Sequence, residues 1–260
     1  MTTAVTPAAT PTPTPTPATT PTPKPATAPT AEALGQVLAG PARLRILLEL
    51  LGGVPLPAGA LAARLGLAPS TVSGHLARLA DAGLVSVRPD GRRRLASLDR
   101  PEVADAVEAL SRLAGPGPVT SLTGQHRQAA LREARSCYDH LAGRLGVALA
   151  DLFLTRGWVV DHDGAWTLHG TGVERAATAL GVPLTLPVGA HRPAVRSCPD
   201  WTERRPHLAG RLGAGTLAAV LAAGWVRRRP HDRALDLTPH GETALERLGL
   251  RNGPGAGAGS

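Results

Sequence analysis

Leu44, Leu47, Leu48 and Leu51 recur at the spacing that stacks side chains on one helix face, and Gly52-Gly53 ends the run. Gly40-Pro41 sets a proline in the first turn, where a missing N–H costs nothing. A second, shorter helix is predicted from Ala58 to Leu65, with Leu61 and Leu65 on its apolar face. Gly66-Leu67-Ala68 then turns the chain into a third helix beginning at Pro69. At about 100° per residue, Val72, Leu76 and Leu79 fall within about 60° of one another and must face a core. The opposite side presents Ser70, Thr71, Gly74, Ala77 and Arg78, with Ser73 alongside and His75 on the flank of the apolar stripe. After Gly83 the period changes. Leu84 to Arg88 and Arg92 to Leu98 read as strands around Pro89-Asp90-Gly91, and Asp-Gly is a strong signal for a two-residue hairpin turn. Short helix, glycine turn, helix and hairpin make a helix-turn-helix with a wing.

Gly115-Pro116-Gly117-Pro118 breaks the helical pattern and reads as a linker, and beyond it the chain repeats itself. His140-Leu-Ala-Gly-Arg-Leu-Gly146 recurs letter for letter as His207 to Gly213, 67 positions further on. Ten residues then lead to Gly157-Trp158 and Gly224-Trp225, where each glycine fits a helix C-terminal cap. A hairpin pattern follows in both copies, and each closes on a similar helix start, Thr167-Leu-His-Gly170 and Thr238-Pro-His-Gly241. The expected fold is mainly α with small β-hairpin wings: an N-terminal winged helix-turn-helix domain and a C-terminal domain of two winged-helix-like repeats. The expected division is a Thr/Pro/Ala tail over 1–30, a DNA-binding domain over 31–114 and a linker over 115–120. A dimerisation and effector domain follows over 121–250, its repeats at about 137–181 and 204–249, and then a Gly-rich tail over 251–260. The first tail is too rich in Pro and Thr to bury a core.

Charge sharpens this picture. Twenty-eight Lys and Arg against 20 Asp and Glu give a formal net charge of +8, and Lys24 is the only lysine. Guanidinium forks suit phosphates and guanine edges. Four Trp, one Tyr and one Phe are too few for the base-stacking platforms of single-strand binders, which leaves double-stranded DNA as the expected partner. Leu212 to Val226, the longest uncharged apolar stretch, falls short of the roughly 20 residues a membrane span needs. The first thirty residues lack the apolar segment of a secretory signal, and two cysteines make no disulfide framework. A cytoplasmic protein with no membrane partner is expected.

Pro41-Ala-Arg43-Leu-Arg-Ile-Leu, Leu61-Ala-x-x-Leu-Gly-Leu and Ser70-Thr-Val-Ser-Gly-His75-Leu-Ala-Arg-Leu-x-x-Ala-Gly83-Leu-Val together resemble the winged-helix core of ArsR/SmtB-type transcriptional regulators. The segments around Cys137 to Gly143 and Cys198 to Gly210 are similar to those of a longer subset of that family, so the resemblance reaches about residue 250. It implies a cytoplasmic homodimer that binds an imperfect palindrome and represses until an effector releases it. The expected DNA-binding residues are Ser70, Thr71, Ser73, Gly74, His75 and Arg78 on the recognition helix and Arg88, Arg92, Arg93 and Arg94 on the wing. Two departures bear on base reading. Gly74 stands where family members often carry a polar or basic side chain, and Ala68 occupies the usual N-cap position.

Metal-sensing members of that family place thiols early in the helix before the recognition helix, or Asp and His on the last helix of the DNA-binding domain. Those places here hold Pro57 to Ala60 and Pro101 to Asp105. The remaining candidates for a metal or effector site are Cys137, His140, Cys198, Asp200 and His207, whose donors suit zinc or a softer transition metal, or a thiol-redox switch. Cys137 and His140 are placed three apart on one helical face, with Cys198 joining them if the repeats pack face to face. Against this, a constant shift of 67 sets Arg204 opposite Cys137, which favours structural histidines in a hydrogen-bonded core of Arg132, Asp139, Asp200, Glu203 and Arg205. A small-molecule effector pocket walled by Trp166 or Trp201 is a further reading. No cofactor is otherwise indicated. A Cys137–His140 thiol or metal enzyme and a protein-binding adaptor are the competing functions. The chain has no nucleophile elbow or oxyanion loop, so an enzyme is not expected.

Overall fold

The computed structural model describes residues 29–114, 121–188, 192–230 and 232–251. Most of the Thr/Pro/Ala tail, the 115–120 linker and the 252–260 stretch lie outside the described residues. The first region runs α1 (Ala31–Leu38), α2 (Pro41–Leu50), β1 (Leu56–Pro57), α3 (Ala58–Leu65), α4 (Pro69–Asp81), β2 (Ser86–Asp90), β3 (Arg93–Ser97) and α5 (Pro101–Ala114). Ile46, Leu47, Leu50, Leu61, Val72 and Leu79 are fully out of contact with solvent and form its core. Gly66 ends α3 with φ +65°, a left-handed cap that a β-carbon would strain, and this bend sets α4 across α3. The strands form one antiparallel sheet in the order β1-β3-β2. Asp90 pairs with Arg93, so the two-residue loop is Gly91-Arg92, one position beyond the predicted Asp90-Gly91. Gly91 carries the positive φ, +55°, and takes the first loop position while Asp90 stays extended in the strand.

The second region opens with α6 (Leu122–Glu133) and then follows the order hairpin, helix, hairpin, helix twice. The first pass is β4 (Arg135–Cys137), β5 (His140–Ala142), α7 (Gly143–Thr155), β6 (Val159–His162), β7 (Ala165–Leu168) and α8 (Gly172–Leu180). The second is β8 (Arg196–Pro199), β9 (Pro206–Ala209), α9 (Gly210–Ala222), β10 (Val226–Arg228), β11 (Leu235–Leu237) and α10 (Pro239–Arg247). Gly157 and Gly224 have φ +65° and +71° just after their helices, as the pattern of the sequence required.

Three sequence-based expectations are corrected. Cys137 and His140 do not share a helical face; they are cross-strand partners in β4–β5, because Tyr138, at φ +59°, folds the chain back between them. The second unit starts at Arg196 rather than near 204. Arg135-Ser-Cys137-x-Asp139 and Arg196-Ser-Cys198-x-Asp200 are the matching segments, and Cys198 pairs with His207 as Cys137 pairs with His140. The constant shift fails because two residues separate Cys137 from His140 and eight separate Cys198 from His207. Finally, Gly172 rather than Gly170 matches Gly241. A β-carbon on either would strike the carbonyl oxygen of its own unit's tryptophan, Trp158 or Trp225.

The two units are cross-packed. Helix α7 lies on β9 of the other unit, and α9 lies on β5. Glycine makes both approaches possible: a β-carbon on Gly213 would sit 3.0 Å from the His140 β-carbon, and one on Gly146 would sit 3.6 Å from that of His207. Phe153, Trp158, Leu212 and Trp225 fill the shared core, with the Phe153 and Trp158 rings edge to face at 5.0 Å. Trp166 belongs to that core, whereas Trp201 lines a cavity with Arg132, Asp200 and Arg204.

The first hairpin also docks on the N-terminal region. Ser136 donates to the Gly52 carbonyl at 2.9 Å, and the Tyr138 N–H donates to the Leu51 carbonyl at 2.6 Å. Arg127 of α6 bridges Glu49 of α2 and Asp232. No helix among the described residues is long and apolar enough to cross a membrane.

Candidate nucleic-acid interface and a buried cysteine-histidine cluster

Helix α4 buries Val72, Leu76 and Leu79 and leaves Ser70, Thr71, Ser73, Gly74, Ala77 and Arg78 exposed. Its N-cap is Ala68, which offers no side-chain acceptor, and Pro69 has no N–H. The amides of Ser70 and Thr71 therefore stand at the positive end of the helix without a cap, an arrangement that favours a phosphate oxygen. Gly74 leaves open space above the helix surface, so a groove floor can approach closely. Ser73 donates to the Pro69 carbonyl at 2.9 Å and keeps its oxygen as an acceptor. His75 is half-buried. Burial first, and then the charges of Arg43 and Arg78, push its imidazole below the ordinary value, so it stays neutral near pH 7.

Arg88, Arg92, Arg93 and Arg94 are all exposed on the hairpin. Arg88 pairs with Asp99 at 2.7 Å. Arg92, Arg93 and Arg94 have no carboxylate within reach among the described residues. Arg94, Ser73 and Ala77 line one groove between α4 and the wing, so helix and wing share a face.

The remaining candidates meet some distance along the chain. Cys137, His140, Cys198 and His207 place one donor atom each within 4.8 Å of one another, all four side chains buried. The imidazole centroids are 5.1 Å apart. Nε2 of both histidines is buried with no hydrogen-bond partner. Nδ1 of each faces a carboxylate: His140 to Asp139 at 3.3 Å and His207 to Asp200 at 3.1 Å. The hydrogen bond with Cys198 and burial push the Cys137 thiol up to about 12. Burial opposes charge on His207, yet Asp200 and Cys137 outweigh it and raise it to about 9.

Asp200 supplies no donor to the group of four. It lies 3.1 Å from Nδ1 of His207 as an ion pair, accepts from Arg135 at 2.9 Å and accepts from the Gly143 N–H at 2.7 Å. Burial opposes its charge, but His207 and Arg135 hold its carboxyl far below the usual range. The expected polar core of Arg132, Asp139, Asp200, Glu203 and Arg205 is not the one formed, since Arg132 and Arg205 are exposed. The buried charges are instead Arg135, Asp200, Glu108 and Arg233. Arg135, which sequence reading missed, lies completely inside, between Asp200 and Glu108 of α5 and over the Trp201 ring. The repeated Arg-Ser-Cys segments were the available signal for it.

An uncapped recognition helix with small and polar residues outward, beside a hairpin of unpaired arginines, defines a winged helix-turn-helix DNA-binding protein. Residues 38–88 match a family described as a helix-turn-helix domain. The uncharacterized HTH-type transcriptional regulator YdfF of Bacillus subtilis is 35% identical over 214 residues, covering 82% of this chain and 94% of that protein. The chain belongs to the ArsR-type family of HTH-type transcriptional regulators, and it is a DNA-binding transcriptional regulator. The HTH-type transcriptional regulator CmtR of Mycobacterium tuberculosis is 53% identical over 60 residues, 23% of this chain and 50% of CmtR. Among solved structures, HlyU from Vibrio cholerae is 38% identical over 32% of this chain and 86% of its own, with a TM-score of 0.30. A homodimeric winged helix-turn-helix domain from Mycobacterium bovis, described as a possible ArsR-family regulator, is 29% identical over 32% of this chain and 76% of its own, at TM-score 0.30.

Proposed function

We propose that the chain acts as a homodimeric repressor that grips an imperfect palindrome and leaves it when an effector binds the C-terminal domain. The observation that carries this reading is the shared groove of α4 and the wing. Ser73, Ala77 and Arg94 line that groove; beside it the exposed Ser70, Thr71 and Arg78 meet base edges and phosphates, while Arg92, Arg93 and Arg94 hold the flanking backbone. Two-fold pairing is supported by Leu110 and Leu113, apolar side chains less than a turn apart on α5 that are 37% and 86% exposed. A second copy is the occupant that hides them, and its symmetry is what a palindrome matches. A thiol or metal hydrolase is disfavoured by the burial of Cys137 and His140, which leaves a substrate no approach.

Fluorescence anisotropy on the chain's own upstream intergenic DNA and on a scrambled duplex, across a salt series, tests the reading. The native duplex should bind roughly a thousand-fold tighter at physiological salt, as one dimer per site, and Arg78→Ala should relax preference at one base position of each half-site. Equal affinity for both duplexes refutes sequence-specific control, and a monomeric complex refutes the dimer.

A further inference from the structure

We propose that Cys137, His140, Cys198 and His207 form a closed, four-coordinate site for a divalent zinc-like cation, held between the two repeats. Each unit contributes one thiol and one imidazole from the same two positions of its hairpin, so the four donors are arranged about the approximate two-fold relation of the units. Zinc with two thiolates and two imidazoles has donor-to-donor separations of about 3.3–3.8 Å. The present spread of 4.8 Å or less closes to that if each atom moves inward by less than about one ångström.

Three independent features point to a cation. First, Nε2 of both histidines is buried and partnerless, a cost that a bound ion removes. Second, Asp139 and Asp200 stand behind Nδ1 of the two rings and leave Nε2 free to ligate; a carboxylate behind a histidine is the usual support for such a ligand. Third, the loaded site is neutral: the two thiols and any imidazolium give up their protons to solvent, and two thiolates with two neutral imidazoles balance one divalent cation. Four protein ligands in a buried cluster leave no position for water, which marks a structural or regulatory site and not a hydrolytic one. Oxygen-seeking ions such as Mg2+ and Ca2+ have no suitable donor set here.

The test uses the full chain, reduced, freed of metal and checked for two titratable thiols. Zinc should bind at one ion per chain with a Kd of roughly 10 nM or tighter in competition with a chromogenic chelator. Cobalt(II) should give the intense visible bands of a tetrahedral ion together with thiolate-to-cobalt charge transfer. Cys198→Ser should weaken zinc at least a hundred-fold and alter the cobalt spectrum, and Asp139→Asn should weaken it about 10–100-fold. Less than a fifth of an equivalent of zinc, or a weak octahedral cobalt spectrum without thiolate bands, overturns the proposal. So does an unchanged affinity in a Cys198→Ser variant that is folded by circular dichroism. The cobalt spectrum of the unaltered chain decides the matter even if that variant does not fold.

Discussion

Replacing Arg92, Arg93 and Arg94 together by Ala strips the wing of its three unpaired cations without touching the buried core, since all three side chains are exposed. If each neutralises one phosphate, the salt slope of log K falls by about 0.9 per contact, or about 2.7 per protomer. Extrapolated from 1 M salt to about 0.15 M, that slope corresponds to a loss of roughly 160-fold in affinity, close to 3 kcal/mol, for one protomer. In a symmetric dimer the slope change doubles to about 5. The assay is anisotropy at several salt concentrations on the specific and the scrambled duplex, with thermal melting as a control for folding. Both duplexes should weaken by similar factors, because phosphate contacts carry no base information. An unchanged slope would show that the wing points away from the backbone, and a loss confined to the specific duplex would mean that these arginines read bases.

Three further outcomes are expected. Ala68→Asp supplies the missing N-cap and should raise thermal stability by about 1 kcal/mol, yet it should weaken DNA binding because its carboxylate competes with phosphate for the amides of Ser70 and Thr71; tighter binding would mean that those amides do not face DNA. Arg135→Met removes the fully buried cation between Asp200 and Glu108, leaving them only His207 and Arg233, and should cost about 3–5 kcal/mol in urea unfolding; a loss below about 1 kcal/mol would show that those two or water compensate. Burial opposes charge on Asp232, but Arg127 outweighs it and holds that carboxyl below the ordinary range, so its contribution is present above about pH 4 and fades as pH falls through the folded value. The stability gap between the parent chain and Asp232→Asn should therefore shrink as pH falls below the ordinary carboxylate value of about 4, and a gap that stays constant would refute the assignment.

The winged helix was legible because its elements are local. The apolar stripe of α4, the Gly66 turn and the change of period after Gly83 lie within short windows, where spacing determines which face is buried. The hairpin loop was displaced by one residue because Asp-Gly and Gly-Arg are both acceptable turn pairs, and only the pairing of Asp90 with Arg93 distinguishes them. The buried cluster was named residue by residue, but its geometry was not. Helical spacing put Cys137 beside His140, whereas the backbone of that segment is committed to Arg233, Leu51 and its own cross-strand partner. Arg135 escaped notice for a related reason: an arginine reads as surface until Asp200 and Glu108, 65 and 27 positions away in sequence, are brought around it.

The cross-packed C-terminal units amount to a dimer written into one polypeptide. Each half lends a helix to close the other's hairpin, so neither can persist alone, and a cut anywhere between Leu180 and Arg196 should leave two fragments that fold only on recombining. Halves joined in one chain need not match. The short turn at Tyr138 is the seat against Leu51 and Gly53 of the DNA-binding region, while its longer counterpart carries Trp201 and Thr202 over Arg135. One hairpin turn thus holds the DNA-binding region while the other seals the interior, a division of labour closed to two identical chains.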